Sequence, residues 1–148
     1  DWFFNIVNEV DYDIIGISYY PMYHGKSLSD LQNQLSNLSA NFGKEVLIAE
    51  TSYPFTLGWN DWTNNNLGYE DHLILPDYPA SPEGQKDFIR DIKNLVFEVN
   101  NGIGFCYWGA ELIAWDSETS TNGSTWKNQA VYDFDNKALP VLQEFDLN

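Results

Sequence analysis

The chain has 148 residues, of which 43% are apolar and 16% aromatic. It can therefore bury a hydrophobic core, and its composition is not that of a disordered protein. Twenty-two acidic residues against seven basic ones give a formal charge of −15 and an isoelectric point of about 4.1. Because this charge repels phosphate backbones and anionic lipid head groups, nucleic acid and membrane surfaces are disfavoured as partners.

Aromatic and cysteine content restrict the function further. Six Trp and nine Tyr exceed what packing alone usually requires, and their flat amphipathic rings suit sugar faces or other partly apolar ligands. Cys106 is the only cysteine, which excludes an internal disulfide and a cysteine-based metal site. The sequence contains no run of about 18 apolar residues, so it does not predict a membrane-spanning helix. The first residues lack the features of a signal peptide, so the signal of an exported parent protein is expected upstream.

The chain begins with a predicted helix and a predicted strand. Residues 2–10 carry apolar side chains at spacings of one, three and four, which indicates the end of an amphipathic helix. Residues 14–20 then form a continuous apolar and β-branched run that ends at Pro21. This pattern is typical of a buried parallel strand.

A second helix and a second strand follow. Ser27 is a good N-cap, and Gly43 is suited to the position just after the end of a helix. The apolar face between them consists of Leu28, Leu31, Leu35 and Leu38. Residues 44–50 have a charged start, an apolar centre and a polar end, so we predict a strand that ends at Glu50.

The third unit comes after a long connection. Residues 51–80 contain several aromatic residues and three prolines, and a connection of this length is usually functional. Ser81 and Pro82 predict the start of a helix whose apolar face continues to Val99. Residues 104–108 predict the third strand.

The order of these elements predicts α/β architecture with right-handed crossovers and a parallel sheet. An open doubly wound sheet is the alternative, but the glycine-rich turn of its phosphate-binding site does not occur. Polar and aromatic residues instead gather after the end of each strand, as in a (β/α)₈ barrel. We therefore predict that residues 1–148 are part of one such barrel domain, without an internal boundary.

Glu50 is the leading candidate for a catalytic residue. It directly follows the apolar run of residues 46–49, so in a barrel its carboxylate would project into the mouth. The alternative is a surface carboxylate or half of an ion pair, and position alone does not separate the two interpretations.

Several motifs together resemble one known family. The runs at residues 13–21 and 50–54, with His24-Gly25 between them, are similar to consecutive segments of glycoside hydrolase family 53, the endo-β-1,4-galactanases. Further matches in the same order lie at residues 76–79, 81–85, 107–108 and 126–130. The resemblance implies a (β/α)₈ barrel that cleaves β-1,4-galactan with retention, with Glu50 as the nucleophile on strand seven.

The resemblance also implies what this chain lacks. Retention requires a second carboxyl group about 5–5.5 Å from the nucleophile, and the family carries this acid/base on strand four. We therefore expect the chain to be the C-terminal three βα units, about strands six to eight, to need the N-terminal part of the barrel as its partner, and to be inactive alone. A secreted, periplasmic or cell-surface location is expected from the family.

Two tyrosines precede Pro21, and only one can face the barrel mouth because side chains alternate along a strand. We favour Tyr19 as the phenol that binds beside Glu50, with Tyr20 as the alternative. His24 lies just after this strand and is a candidate for a hydrogen bond to a sugar hydroxyl, although a histidine in a loop often has only a structural role.

Three tryptophans are candidates for stacking on galactose rings. Trp108 ends the third strand, where related barrel glycosidases place an indole under the sugar next to the cleaved bond. Trp115 and Trp126 are candidates for more distant sugar units, or for fixing the loop to the barrel. Family members often have glutamate directly after the tryptophan that matches Trp108, but this chain has Gly109.

No cofactor is required by this chemistry. Some family members bind calcium in the equivalent loop, so a calcium ion at Asp61 and residues 64–66 is an alternative. The spacing is not that of an EF-hand, however, and polar solvation of the loop is favoured. Two other functions stay open: a retaining β-glycanase acting on mannan or xylan, and a glycan-binding barrel without catalysis. Retained Glu50 argues against the latter.

Overall fold

The structure, a computed structural model, describes residues 2–6 and 9–146. Its helices and strands are α1 (Trp2–Ile6), β1 (Ile14–Ser18), α2 (Pro21–His24), α3 (Leu28–Phe42), β2 (Glu45–Thr51), α4 (Pro82–Glu98) and β3 (Gly102–Tyr107), with short 3₁₀ helices at Glu70–His72, Lys127–Gln129 and Pro140–Phe145. The three strands form one parallel sheet in the order β1-β2-β3. This is the predicted succession of βα units.

The sheet has one buried face and one open face. Ile15, Val46 and Ile48 are at most 1% exposed and belong to one apolar cluster with side chains of α3 and α4. Burial of each such aliphatic side chain contributes about 1.5–3 kcal/mol. Ile14 and Ala49 lie on the other face and are exposed, and in a closed barrel this face lines the interior.

Both predicted ends of α3 are confirmed. The Ser27 hydroxyl accepts a hydrogen bond from the Asp30 N–H at 3.1 Å, as an N-cap does. Gly43 has a φ of 62°, in the left-handed region that favours glycine, and its N–H donates to the Ser39 carbonyl at 2.8 Å. Local sequence therefore sets the length of this helix.

Helix α4 connects the sheet to the long loop after β2. The Ser81 hydroxyl accepts from the Gly84 N–H at 2.9 Å, and Pro82 begins the helix, as predicted. Phe88 is fully buried and stacks on the loop residue Tyr53, with ring centroids 4.2 Å apart. Although α4 is 17 residues long, no helix within the described ranges is long and apolar enough to cross a membrane.

Several predicted boundaries are wrong, and β3 covers Gly102–Tyr107 instead of residues 104–108. Helix α1 ends at Ile6, and Val10 lies in a bend with 60% of its side chain exposed; residues 7 and 8 of the predicted helix lie outside the described residues. Strand β1 ends at Ser18 instead of Tyr20 because Pro21 begins the one-turn helix α2. Proline is well suited to the first position of a helix, since its missing N–H would have no partner there.

Candidate active site

Glu50 lies near the carboxyl end of β2, where the strand is irregular. Ile17 pairs with Ile48, but the next residue, Ser18, pairs with Glu50, so Ala49 is an extra residue in β2. Strict alternation would have put Glu50 on the buried face with Ile48. The bulge instead turns the Glu50 side chain to the side of Ser18, which is the kind of re-aiming that bulges provide at functional sites.

Tyr20 is the phenol that contacts Glu50. Its hydroxyl donates to Oε1 of Glu50 at 2.7 Å. Burial and, after it, the hydrogen bond to the Glu50 carboxylate raise the pKa of Tyr20 far above its usual value. The phenol therefore stays protonated and acts as a donor, which orients the carboxylate it faces.

The preference for Tyr19 over Tyr20 was wrong. Tyr19 is only 2% exposed, and its ring lies against Phe88 of α4 with the centroids 6.4 Å apart. Its hydroxyl donates to the Gly25 carbonyl at 2.9 Å, and burial raises its pKa to about 12. Tyr19 shares the helix-facing side of the strand with Ile15, whereas Tyr20 shares the open side with Ser18, because side chains alternate.

His24 supports Tyr20 from the end of α2. Its Nδ1 accepts a hydrogen bond from the Tyr20 backbone N–H at 2.9 Å, and the two rings stack with centroids 6.4 Å apart. This contact uses one ring nitrogen for local structure. The imidazole remains exposed, so a hydrogen bond from Nε2 to a sugar stays a prediction.

Two of the three predicted tryptophans join Tyr20 in an aromatic wall, defined as Tyr20, Trp108 and Trp126. The Trp126 ring centroid is 6.0 Å from that of Tyr20 and 6.2 Å from that of Trp108. Trp108 follows β3 and is 45% exposed. Trp115 is 66% exposed, and among the described residues no ring contact joins it to this wall. The wall offers apolar surface directly beside the Glu50 carboxylate.

A buried polar network, which sequence reasoning missed, lies behind this wall. Ser52 and Gln129 are both fully buried, and the serine hydroxyl donates to Gln129 Oε1 at 2.5 Å. Tyr107 donates to the Gln129 carbonyl at 2.6 Å and accepts from Gln85 Nε2 at 3.1 Å. Because Ser52 is two positions from Glu50, this network fixes the chain just beyond the candidate nucleophile. The sequence signals were the polar run at residues 127–129 and the family-motif matches that contain these four residues, but neither indicates their contacts.

A buried ion pair holds the two loops that follow β2 and β3 together. Lys127 Nζ lies 2.9 Å from Asp61 Oδ1, and both side chains are fully buried. The same ammonium donates to the Thr63 carbonyl at 2.6 Å. Next to it, Asn128 Nδ2 donates to the carbonyls of Thr56 and Leu67 at 2.8 and 2.7 Å. We call these loops, residues 52–81 and 109–130, the loop rim.

The suggested calcium position does not fit a metal ion. The Lys127 ammonium already neutralises Asp61, and a second cation there would face like charge. The other oxygen, Asp61 Oδ2, lies only 2.6 Å from where a Cβ of Gly123 would be, so the Gly123 backbone covers it. Within the described ranges, no three His, Cys, Asp or Glu side chains are grouped for metal binding.

Comparison with known proteins identifies related sequences along almost the entire chain. The description of the matching family is glycosyl hydrolase family 53, and its model matches residues 1–145. An arabinogalactan endo-β-1,4-galactanase of Cellvibrio japonicus is 35% identical over 97% of this chain and 39% of its own length. The chain spans only 36–42% of the length of such curated relatives.

Solved structures give the same result for the fold. A family 53 catalytic domain from Ignisphaera aggregans superposes on this chain with a TM-score of 0.85 and 36% identity. The superposition covers 99% of this chain and 42% of the Ignisphaera domain. A structure of fungal β-1,4-galactanases superposes on this chain with a TM-score of 0.71 and 27% identity. The superposition covers 99% of this chain and 43% of the fungal chain. The predicted barrel fold is confirmed, with this chain as part of the barrel.

Proposed function

The chain belongs to glycosyl hydrolase family 53, and from this premise we propose that it carries the nucleophile of an endo-β-1,4-galactanase. The observation that carries the proposal is the 2.7 Å hydrogen bond from Tyr20 to Glu50 at a bulged strand end. A carboxylate held in this way beside an aromatic surface is what a glycosidase needs at the bond it cleaves. The relatives named as galactanases support the choice of substrate.

The proposed reaction has two steps with retention. Glu50 attacks the anomeric carbon through its second oxygen, Oε2, while the glycosidic C–O bond breaks and its electron pair goes to the leaving oxygen. A glutamate on a barrel strand outside these 148 residues protonates that oxygen, as the family resemblance implies. The same residue then takes a proton from water, which attacks the glycosyl-enzyme and releases the Glu50 carboxylate.

The aromatic wall supplies substrate binding in this proposal. The faces of Trp108 and Trp126 stack on galactose rings on either side of the reacting carbon, because indoles combine apolar area with little conformational freedom to lose. The formal charge of −15 favours a neutral glycan over a polyanionic one. We therefore propose neutral β-1,4-galactan, and not acidic pectin, as the substrate.

The test is Glu50→Gln in a complete barrel that includes these 148 residues, referred to below as the complete barrel. We expect galactan hydrolysis to fall by several orders of magnitude while binding persists, since the covalent route is lost and the stacking surface is not. Glu45→Gln is the matched control, because Glu45 lies at the opposite end of β2 and is exposed. It should leave turnover unchanged.

Two results would contradict the proposal. A Glu50→Gln protein that retains more than about a tenth of the original turnover would exclude Glu50 as the nucleophile. Faster hydrolysis of mannan or xylan than of galactan on a glycan panel would keep the mechanism but reject the substrate.

A further inference from the structure

Two tryptophans on the loop after β2 are exposed, although Asp61 and Thr63, the chain neighbours of one of them, are buried. Trp59 and Trp62 are 54% and 64% exposed, whereas Asp61 and Thr63 are 3% and 5% exposed. Side chains of this size usually bury when folding is their only role, so two exposed indoles three positions apart in one loop are candidates for ligand contact. The two indoles, called here the indole pair, are not used by the proposed cleavage site.

The segment that carries the indole pair is held firmly to the loop after β3. The Asn66 N–H donates to the Thr125 carbonyl at 2.8 Å, and the Thr63 hydroxyl donates to the Ser120 carbonyl at 3.1 Å. The Asn65 side chain closes the segment on itself by donating to the Gly58 carbonyl at 2.9 Å. Because the loop is already ordered, a ligand that stacks on these rings loses little affinity to the conformational entropy of the loop.

The indole pair is connected to the candidate active site through the buried ion pair. Asp61, which lies between Trp59 and Trp62 in the chain, contacts Lys127 at 2.9 Å. Trp126 directly precedes Lys127 and contacts Tyr20, the donor to Glu50. The loop rim thus carries both the indole pair and Trp126 of the aromatic wall.

We propose that the indole pair is a second glycan-binding surface, on which a β-1,4-galactan chain stacks outside the cleavage site. The proposal rests on the proposed function for the identity of the glycan. Indole faces suit the C–H faces of sugars, and the strongly negative chain favours a neutral polymer over an anionic one. Since the same rim carries Trp126 of the aromatic wall, we expect one long chain to contact both surfaces.

The experiment measures binding without cleavage, in the complete barrel with Glu50→Gln as background. Trp59→Ala and Trp62→Ala are combined with it singly and together, and dissociation constants are measured by calorimetry for polymeric galactan and for galactobiose. Each indole removed should weaken polymer binding by about two- to tenfold. Galactobiose, which is too short to reach both surfaces, should bind unchanged. Tyr69→Ala is the control, because Tyr69 is 70% exposed on the same loop.

Each other outcome overturns the proposal. Unchanged polymer binding by the double variant rejects the second surface, and equal weakening for both ligands means that the loop acts on the cleavage site instead. A change in association state without a change in glycan binding identifies a protein contact. If an alanine variant melts at a lower temperature, the leucine variant of the same position, which keeps apolar volume without an aromatic face, is measured in its place. Failure of the galactanase proposal is visible separately, as absent galactan hydrolysis by the complete barrel without substitutions.

Discussion

The helix-facing side of the sheet and the loop rim are both buried, but different interactions hold them. On the helix-facing side, Val46, Ile48 and Phe88 are fully buried among other apolar side chains. At the rim, the fully buried residues include Lys127 and Asn128, whose nitrogens donate to backbone carbonyls of distant segments. One region is stabilised by packing and the other by directional polar contacts.

This difference separates the region that mainly stabilises the fold from the region that positions the active-site side chains. Apolar packing tolerates substitutions that conserve volume, because dispersion and the hydrophobic effect have little directional preference. A buried polar group that loses its hydrogen-bond partner lowers stability far more than a volume-conserving apolar substitution does. The side chains and backbone of the rim can therefore adopt few alternative conformations. The side chains that need accurate positions, Glu50 and the aromatic wall, are accordingly those attached to the rim.

The largest effect should come from breaking the ion pair of the rim. Lys127→Met leaves the Asp61 carboxylate buried without its counter-ion, and we expect the free energy of unfolding to fall by about 3–5 kcal/mol. Equilibrium denaturation of the complete barrel measures this loss. The Lys127→Met/Asp61→Leu double variant is the control, since removal of both charges should recover a large part of it. A single variant as stable as the original protein would show that the pair is not what holds the loops together.

A smaller effect should distinguish the two adjacent tyrosines. Tyr20→Phe removes the donor to Glu50 and should lower galactan turnover by about ten- to hundredfold, because hydrogen bonds to charged groups contribute about 1.5–3 kcal/mol. Tyr19→Phe removes only the bond to the Gly25 carbonyl. It should cost about 1 kcal/mol of stability and leave turnover unchanged. Turnover and thermal melting of both variants check the expectation, and equal losses of turnover would remove the distinction between the two faces.

The sequence predicted what local rules determine. The three strands, the Ser27 cap and the Gly43 stop follow from neighbouring residues, and the family motif predicts Glu50 as the nucleophile. The preference for Tyr19 over Tyr20 was wrong although side chains alternate regularly through both residues, because the sequence alone does not show which face of the strand packs against the helices. The direction of Glu50 depends on the bulge in pairing between two strands. The burial of Lys127 against Asp61 was not predictable either, since charged residues are usually exposed and nothing local indicates their contact.

The smallest effect should come from a change confined to the helix-facing side. Ile92 of α4 is fully buried in the apolar cluster, so Ile92→Val removes one methylene from packed surroundings and should cost about 0.5–1.5 kcal/mol. Galactan turnover should not change, because no directional contact to Glu50 passes through this side chain. Ile92→Leu conserves volume and serves as the control, with equal turnover and a loss below about 1.5 kcal/mol. If Ile92→Val lowered turnover as much as Tyr20→Phe does, packing on the helix side would also align the site, and the separation of the two regions would be wrong.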